Sequence, residues 1–254
     1  MQLRQLLVIA IISLSFISPV NAAPDGPDRL LIHEMRVLAS SICANVLVFY
    51  NQSGSPFVEQ NRQSYEGKLL ELNRLSSRLD RPVITERVHT LLLSVDRTSK
   101  LPQSGTALRA RSPGFTLWLL PVVEAHAQLQ HELDLSYRNT EPASGEADPS
   151  DLHNLRHHLG ELMVGYQVAA FSRLGAEQWV MTQNMVVEHD QQVLALFEEL
   201  ISAHPEQTQT LERARRYYVF TRQLLLNQTG NWAPNAVERF VSLALVELDT
   251  LGAG

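Results

Sequence analysis

The chain has 254 residues, 44% of them hydrophobic, and a formal net charge of −6. This apolar content is enough for one large or two small packed domains, and it excludes a wholly disordered chain. The acidic balance argues against a general binder of nucleic acid or of anionic membranes, because both need a basic face.

The first 22 residues predict a cleavable secretory signal peptide. Arg4 is followed by an apolar run at 6–16, by Pro19, and by small residues up to Ala22 that fit a signal-peptidase site. The run is too short to span a bilayer, and no later stretch of about 20 residues lacks charges. We therefore expect an exported, soluble chain with no membrane span after signal cleavage, with a retained signal anchor as the alternative.

Cysteine content points to the same compartment. Cys43 is the only cysteine, so the fold has no internal disulfide and must depend on its core. This is typical of helical proteins in the periplasm of Gram-negative bacteria. Cys43 lies in an apolar helical pattern, which predicts a buried, unreactive thiol, with an intermolecular disulfide as the alternative.

Helical periodicity covers almost all of the chain after the signal. Apolar residues recur at steps of three and four, and no comparable run alternates with period two. Gly54, Gly175 and Gly230 stand where a left-handed residue ends a helix, and Pro121 predicts a kink or a late helix start. The sequence therefore predicts an all-α fold of about eight helices in antiparallel hairpins, at 28–52, 56–79, 82–98, 113–138, 150–174, 177–203, 206–228 and 233–251.

A polar segment at 139–150 divides these helices into two groups of four. It contains two prolines, one glycine, three acidic residues and no large apolar residue, which is typical of a linker. We expect a first helical bundle at 28–138 and a second at 151–251.

Landmarks repeat between the two halves at a nearly constant spacing. Gly54 and Gly175 are 121 residues apart, and Pro82 and Pro205 are 123 apart. Because a helix end and a helix start recur almost in register, the sequence predicts an internal repeat of a four-helix unit.

One line of side chains in the fifth predicted helix has the spacing of metal ligands. His153, His157 and Glu161 lie four residues apart, so they share one helix face. Zinc sites use such helical histidine pairs. The line also borders the apolar stripe, where polar residues are expected in any helix.

A second such line lies in the sixth predicted helix. Met181, Met185 and His189 are also four residues apart, and their thioether and imidazole groups suit copper(I) or haem iron. Methionine at helical spacing is otherwise typical of core packing. A metal- or haem-binding bundle with a redox or metal-handling role is the alternative function that these two lines indicate.

Four arginines near the sequence YYVF stand out from the acidic background. Guanidinium groups bind carboxylates, phosphates and oxyanions, so this region predicts a docking place for a small anionic ligand or an envelope protein partner. The alternative is that they pair with neighbouring glutamates at the surface. They are Arg213, Arg215, Arg216 and Arg222.

The motifs of common enzymes are missing from the sequence. It has no Gly-x-Ser-x-Gly, no papain-like cysteine context and no phosphate-cradling glycine loop. We therefore expect a protein that is not an enzyme and that needs no cofactor.

Three features of the first half resemble a known family. They are EMRVLASS at 34–41, the turn at Gly54 and YEGKLLEL at 65–72. Their order is similar to that in the N-terminal domain of type IV pilus methyl-accepting transducers and its nitrate-sensing relatives. The resemblance covers part of the first half and implies a periplasmic four-helix sensor module, with Arg36 facing the ligand. The predicted function is therefore a soluble, sensor-like periplasmic protein that binds a small ligand or an envelope protein.

Overall fold

The computed structural model describes residues 26–51, 54–101, 115–140, 150–171, 174, 176–227 and 231–252. Within these ranges it contains eight α-helices and no strand, which confirms the predicted all-α fold. The predicted signal peptide and most of the predicted linker lie outside the described residues. The helices are α1 (Gly26–Tyr50), α2 (Glu59–Ser76), α3 (Pro82–Arg97), α4 (Leu120–Asn139), α5 (Ser150–Ala170), α6 (Gln183–Ala203), α7 (Thr208–Leu226) and α8 (Pro234–Gly252).

Two helix starts have a local physical cause. A π-helical turn at Phe115–Leu119 precedes α4, and Pro121 stands in the first turn of α4, so the predicted late start is confirmed. Helix α6 begins later than predicted because Thr182 caps it. The Thr182 Oγ1 atom accepts a hydrogen bond from the backbone nitrogen of Met185 at 3.3 Å.

The corner after α1 differs from the expected glycine cap. The left-handed residue is Phe57, at φ 61°, and not Gly54. The backbone nitrogen of Phe57 donates to the carbonyl oxygen of Phe49 at 2.7 Å, and the two rings meet edge to face at 5.4 Å. Packing of aromatic rings therefore stabilises a backbone conformation that residues with side chains rarely adopt.

The first helices of the two halves lie at the centre of the molecule. Helix α1 packs against α2, α4, α5 and α8, and α5 packs against α1, α6 and α8. Within each half, the first helix contacts the second and fourth, and the third contacts the same two. The buried apolar residues of both halves form one cluster, so the two predicted bundles share one interior.

Helices α1 and α5 run side by side in the same direction. His33 stacks on His153 with ring centroids 3.9 Å apart, and further along Ser40 Oγ lies 3.5 Å from Glu161 Oε1. Both pairs join residues about 120 positions apart, close to the spacing of the landmarks in the sequence. Equivalent positions of the predicted repeat therefore meet at this interface.

Helix α1 is unusually apolar. Its stretch Asp28–Tyr50 is, by length and composition, sufficient to cross a membrane, and it is the one helix of that kind in the described part of the chain. An apolar helix near an N-terminus is also compatible with an export signal. Here 83% of its most apolar 18-residue window is buried among the other helices, and Cys43 is buried too, which raises the pKa of its thiol. Packing in the core accounts for its composition, and the predicted burial of Cys43 is confirmed.

Candidate functional site

The interior formed by α1, α4 and α5 contains polar side chains where a helical bundle is usually apolar. Buried polar groups are costly unless they find partners, so a cluster of them requires an explanation. The buried members are His33, Arg36 and Ser40 of α1, His126 and Gln130 of α4, and His153 and Arg156 of α5.

Gln130 lies at the centre of this cluster and is 6% exposed. Its amide nitrogen donates to the carbonyl oxygen of Arg36 at 2.8 Å and to Ser40 Oγ at 2.7 Å. Because a carbonyl oxygen can only accept, this contact fixes which branch of the amide is nitrogen. The other branch, Oε1, is buried and has no hydrogen-bond partner. Gln130 therefore holds α4 to α1 with one branch and leaves an acceptor unused on the other.

The buried histidines near Gln130 are neutral. Burial lowers the pKa of His126 to about 4, and its Nε2 lies 3.4 Å from Ser40 Oγ. Burial also lowers the pKa of His33, His157 and His158. Desolvation disfavours the charged imidazolium, so at neutral pH these rings contribute hydrogen-bonding groups and no positive charge.

Two carboxylates approach the same region from opposite helices. Asp134 Oδ1 of α4 lies 2.7 Å from Arg36 Nε, but the groups are not aligned for a hydrogen bond, and Arg36 Nη1 has no partner. Their attraction is therefore that of two charges. On α5, burial and then the negative charge of Asp134 raise the pKa of Glu161 to about 7.

A cavity of about 300 Å³ lies beside these groups, between α4, α5 and the segment before α6. We call it the α4–α5 cavity. This volume is at the lower end of the range for sites that bind small organic molecules. Its polar wall consists of His126, Gln130, His131, Asp134 and Glu161. Its apolar wall consists of Val123, Ala127, Val164, Gly165, Val168, Trp179 and Met181.

A repeated motif places the two arginines of the interior. It reads HEMR at 33–36 and HNLR at 153–156. The first arginine pairs with Asp134 of α4, and the second pairs with Asp249 of α8, which is the last helix of its own half. The second also donates to both carboxylate oxygens of Glu34, at 2.6 and 3.1 Å. The sequence interpretation missed this motif, and the signal that reveals it is the 120-residue spacing of its two copies.

The α4–α5 cavity has no polar counterpart at the matching positions of α8. The buried positions of α4 at 122, 126, 129, 130 and 133 recur in α8 at 237, 241, 244, 245 and 248. In this alignment Asp134 corresponds to Asp249, but His126 and Gln130 correspond to Val241 and Leu245. The fold therefore accepts apolar residues at these positions, and the polar pair belongs to one half alone.

The histidine line predicted on α5 does not converge on one point. The ring of His153 stacks on His33, and its Nδ1 lies 3.3 Å from the hydroxyl of Tyr137. Glu161 instead lines the α4–α5 cavity, and His157 is half-buried with no hydrogen-bond partner for its Nδ1. No group of three or more His, Cys, Asp or Glu side chains is placed to hold a metal ion in the ranges that the structure describes.

The methionine line is interrupted because α6 starts after its first member. Met181 lines the α4–α5 cavity, where its thioether packs on Gly165 and leaves no room for a Cβ atom there. Met185 is 46% exposed, and His189 Nδ1 lies 3.0 Å from His158 Nδ1. The three side chains therefore lie in three different environments and do not form one group of ligands.

Three of the four arginines near YYVF are paired with carboxylates of neighbouring helices. Arg216 is the exposed fourth member. Most of the guanidinium groups that the sequence predicted to bind an anion are therefore already paired within the protein. The pairs are Arg213–Glu247 at 3.3 Å, Arg215–Glu198 at 2.6 Å and Arg222–Asp190 at 2.7 Å.

Comparisons with family models, with curated proteins and with solved structures find no match to this chain. The resemblance of its first half to periplasmic sensor modules therefore stays a prediction. The site is defined by its own geometry as a partly polar cavity in the interior of a helical bundle. Arg36, which that resemblance predicts to face the ligand, belongs to α1 and lies next to Asp134, a residue of the cavity wall.

Proposed function

We propose that the protein is a non-enzymatic periplasmic binding or accessory protein, and that it holds a small ligand in the α4–α5 cavity. The observation that carries this proposal is Gln130, a residue of the cavity wall whose amide oxygen is buried without a hydrogen-bond partner. An unpaired buried acceptor lowers stability by about 1–3 kcal/mol. A ligand that donates a hydrogen bond would recover this loss.

A comparison with the second half of the chain supports a functional role, and not a packing role, for the polar residues of the cavity. Leu245 occupies the position that corresponds to Gln130, and it is buried in the core. Since the same helix arrangement forms with leucine, packing alone does not require glutamine at this place. Residues that conflict with local packing rules are expected at functional sites.

The substitution Gln130→Leu, which installs the residue of the second half, tests this proposal. A library of small metabolites is screened by thermal shift against the wild type and the variant. We expect at least one compound to raise the Tm of the wild type and to lose this effect in the variant, because binding to the folded state alone stabilises it. The exposed Gln192 of α6, changed to leucine, is the matched control and should bind like the wild type. Equal shifts in wild type and Gln130→Leu would reject the cavity as the site.

The periplasmic location rests on the signal-like pattern at 1–22 and on the absence of a second cysteine. It is tested by N-terminal sequencing of protein released from the periplasm by osmotic shock. We expect the mature chain to begin near Ala23. A full-length chain that stays with the membrane fraction would favour the retained anchor instead.

A further inference from the structure

We infer that the ligand of the α4–α5 cavity is a small organic cation with an apolar body, of the class of primary amines. This inference depends on the proposed function, because it names the ligand class of the same cavity. A small anion, the class that the arginines near YYVF predict, is the competing possibility.

The polar wall of the cavity consists mainly of hydrogen-bond acceptors. Asp134 and Glu161 contribute carboxyl groups from α4 and α5, and Gln130, which also lines the cavity, has an unpaired amide oxygen. Its amide nitrogen is directed away, to α1. An ammonium group is a compact set of three donors with a positive charge, so it matches such a wall. A carboxylate ligand would meet acceptors of its own sign.

The charges around the cavity are not balanced. Asp134 has Arg36 beside it, at 2.7 Å on the α1 side. The hydrogen-bond partner of Glu161 is the neutral hydroxyl of Ser40, at 3.5 Å. Burial and the charge of Asp134 raise the pKa of Glu161 to about 7 even though Arg36 acts in the opposite direction, so its carboxylate is poorly stabilised by the protein alone. A bound cation would supply the missing positive charge.

The apolar lining of the cavity suits the apolar part of such a ligand. It includes Val123, Val164 and Met181, and also Trp179, a residue that is 37% exposed. Trp179 offers a flat surface that packs on an alkyl or aromatic body and also attracts cations. The two walls together fit a molecule with one charged end and one apolar end.

This arrangement occurs in one half only. Where α5 has Glu161, the matching position of α1 is Ser41, and where α4 has Gln130, α8 has Leu245. Of the three, only Asp134 has a counterpart of the same type, Asp249. Each of these two aspartates forms an ion pair with the arginine of the repeated motif, Asp134 with Arg36 and Asp249 with Arg156. The two acceptors that distinguish the halves are therefore the ones that the inferred cation would contact.

Three probes of similar size separate the charge of the ligand from its shape. They are phenethylamine, 2-phenylethanol and 3-phenylpropionate, titrated calorimetrically into the full mature chain at pH 8. We expect the amine to bind at least about tenfold more tightly than the other two, since a charge-assisted hydrogen bond typically contributes that much. Glu161→Gln should weaken amine binding by a similar factor. Glu199→Gln, which removes an exposed carboxylate of α6, is the control and should not change it.

The possible results distinguish the ligand class from the proposed function. If 3-phenylpropionate binds as tightly as the amine, or if Glu161→Gln leaves amine binding unchanged, the cation inference is wrong and the binding function stands. If none of the three probes binds and no library compound stabilises the wild type, both are wrong. Circular dichroism and the Tm of Glu161→Gln show that the variant is folded before binding is measured.

Discussion

The two arginines of the repeated motif stand in the same place of each half and have different surroundings. Arg156 donates to both oxygens of Glu34, pairs with Asp249 and contacts His33 Nε2 at 2.9 Å. Arg36 has one carboxylate beside it, without hydrogen-bond alignment, and an unpaired Nη1. One copy of the motif joins α1, α5 and α8, and the arginine of the other copy pairs with Asp134, which lines the α4–α5 cavity.

This difference separates two properties between the halves of the repeat: one half has nearly complete ion pairing, and the other has buried polar groups without partners. The attraction between buried charges offsets the cost of removing them from water only when their hydrogen bonds are nearly complete, as they largely are around Arg156. Incomplete pairing around Arg36 and Gln130 costs stability, and such cost is typical of functional sites. The more complete pairing on the α5–α8 side therefore gives structural support, and the less complete pairing lies on the side of the α4–α5 cavity, where we propose that a ligand binds.

The largest expected effect comes from removing Arg156, the arginine with the more complete pairing, whose Nε alone is buried without a partner. Arg156→Met should lower the free energy of unfolding by about 3 kcal/mol, because it leaves Glu34 and Asp249 without their cation. Arg36→Met should cost only about 1 kcal/mol, since its pairing with Asp134 lacks hydrogen bonds. Urea denaturation of both variants measures the difference.

The exposed arginine Arg62 provides the control for both variants. It pairs with Glu59 and Glu66 on the surface of α2, so Arg62→Met should change the free energy of unfolding by less than about 0.5 kcal/mol. If Arg36→Met were as destabilising as Arg156→Met, the division between the two halves would be wrong.

The next effect is a gain of stability from a cavity residue. Burial raises the pKa of Glu161 to about 7, so the folded state favours the protonated acid. The corresponding stability is complete below the ordinary pKa of glutamate and is lost as the pH rises through 7. Glu161→Gln removes this loss, so it should stabilise the protein by about 3 kcal/mol at pH 8 and hardly at all at pH 4. Urea unfolding at the two pH values measures it, and an equal effect at both would mean that the carboxyl group is not buried as described.

The sequence predicted the helices well and the site poorly, for a physical reason. Periodicity and Pro121 are local signals, so the all-α fold and the late start of α4 follow from them. The cavity depends on which helices become neighbours. Gln130 and His126 fall within the buried face of α4, where sequence alone gives no reason to separate them from core residues.

The predicted ligand lines do not identify the site for the same reason. The spacing of four places Glu161 with His157 on one helix face, whereas its neighbours in the cavity, Asp134 and Gln130, come from α4. The spacing of 120 between the two His-x-x-Arg motifs was readable in the sequence and would have placed α1 beside α5. It would not have placed α4 against them.

The smallest expected effect concerns pH and His126, whose counterpart in the second half is Val241. Burial lowers the pKa of His126 to about 4, so the folded state requires the neutral ring. Its contribution to stability is complete above pH 6.5, the ordinary pKa of histidine, and is lost as the pH falls towards 4. Between pH 7.5 and 5.5 this group should reduce the free energy of unfolding by about 1 kcal/mol. Over the same pH interval, the free energy of unfolding of His126→Gln should fall by about 1 kcal/mol less than that of the wild type. Urea denaturation at pH 7.5 and pH 5.5 measures the difference. His89→Gln, which removes an exposed imidazole of α3, should follow the wild type. If His126→Gln had the same pH dependence as the wild type, the imidazole ring would be accessible to water in the folded state. The polar interior of this half would then not be closed to solvent as the structure describes it.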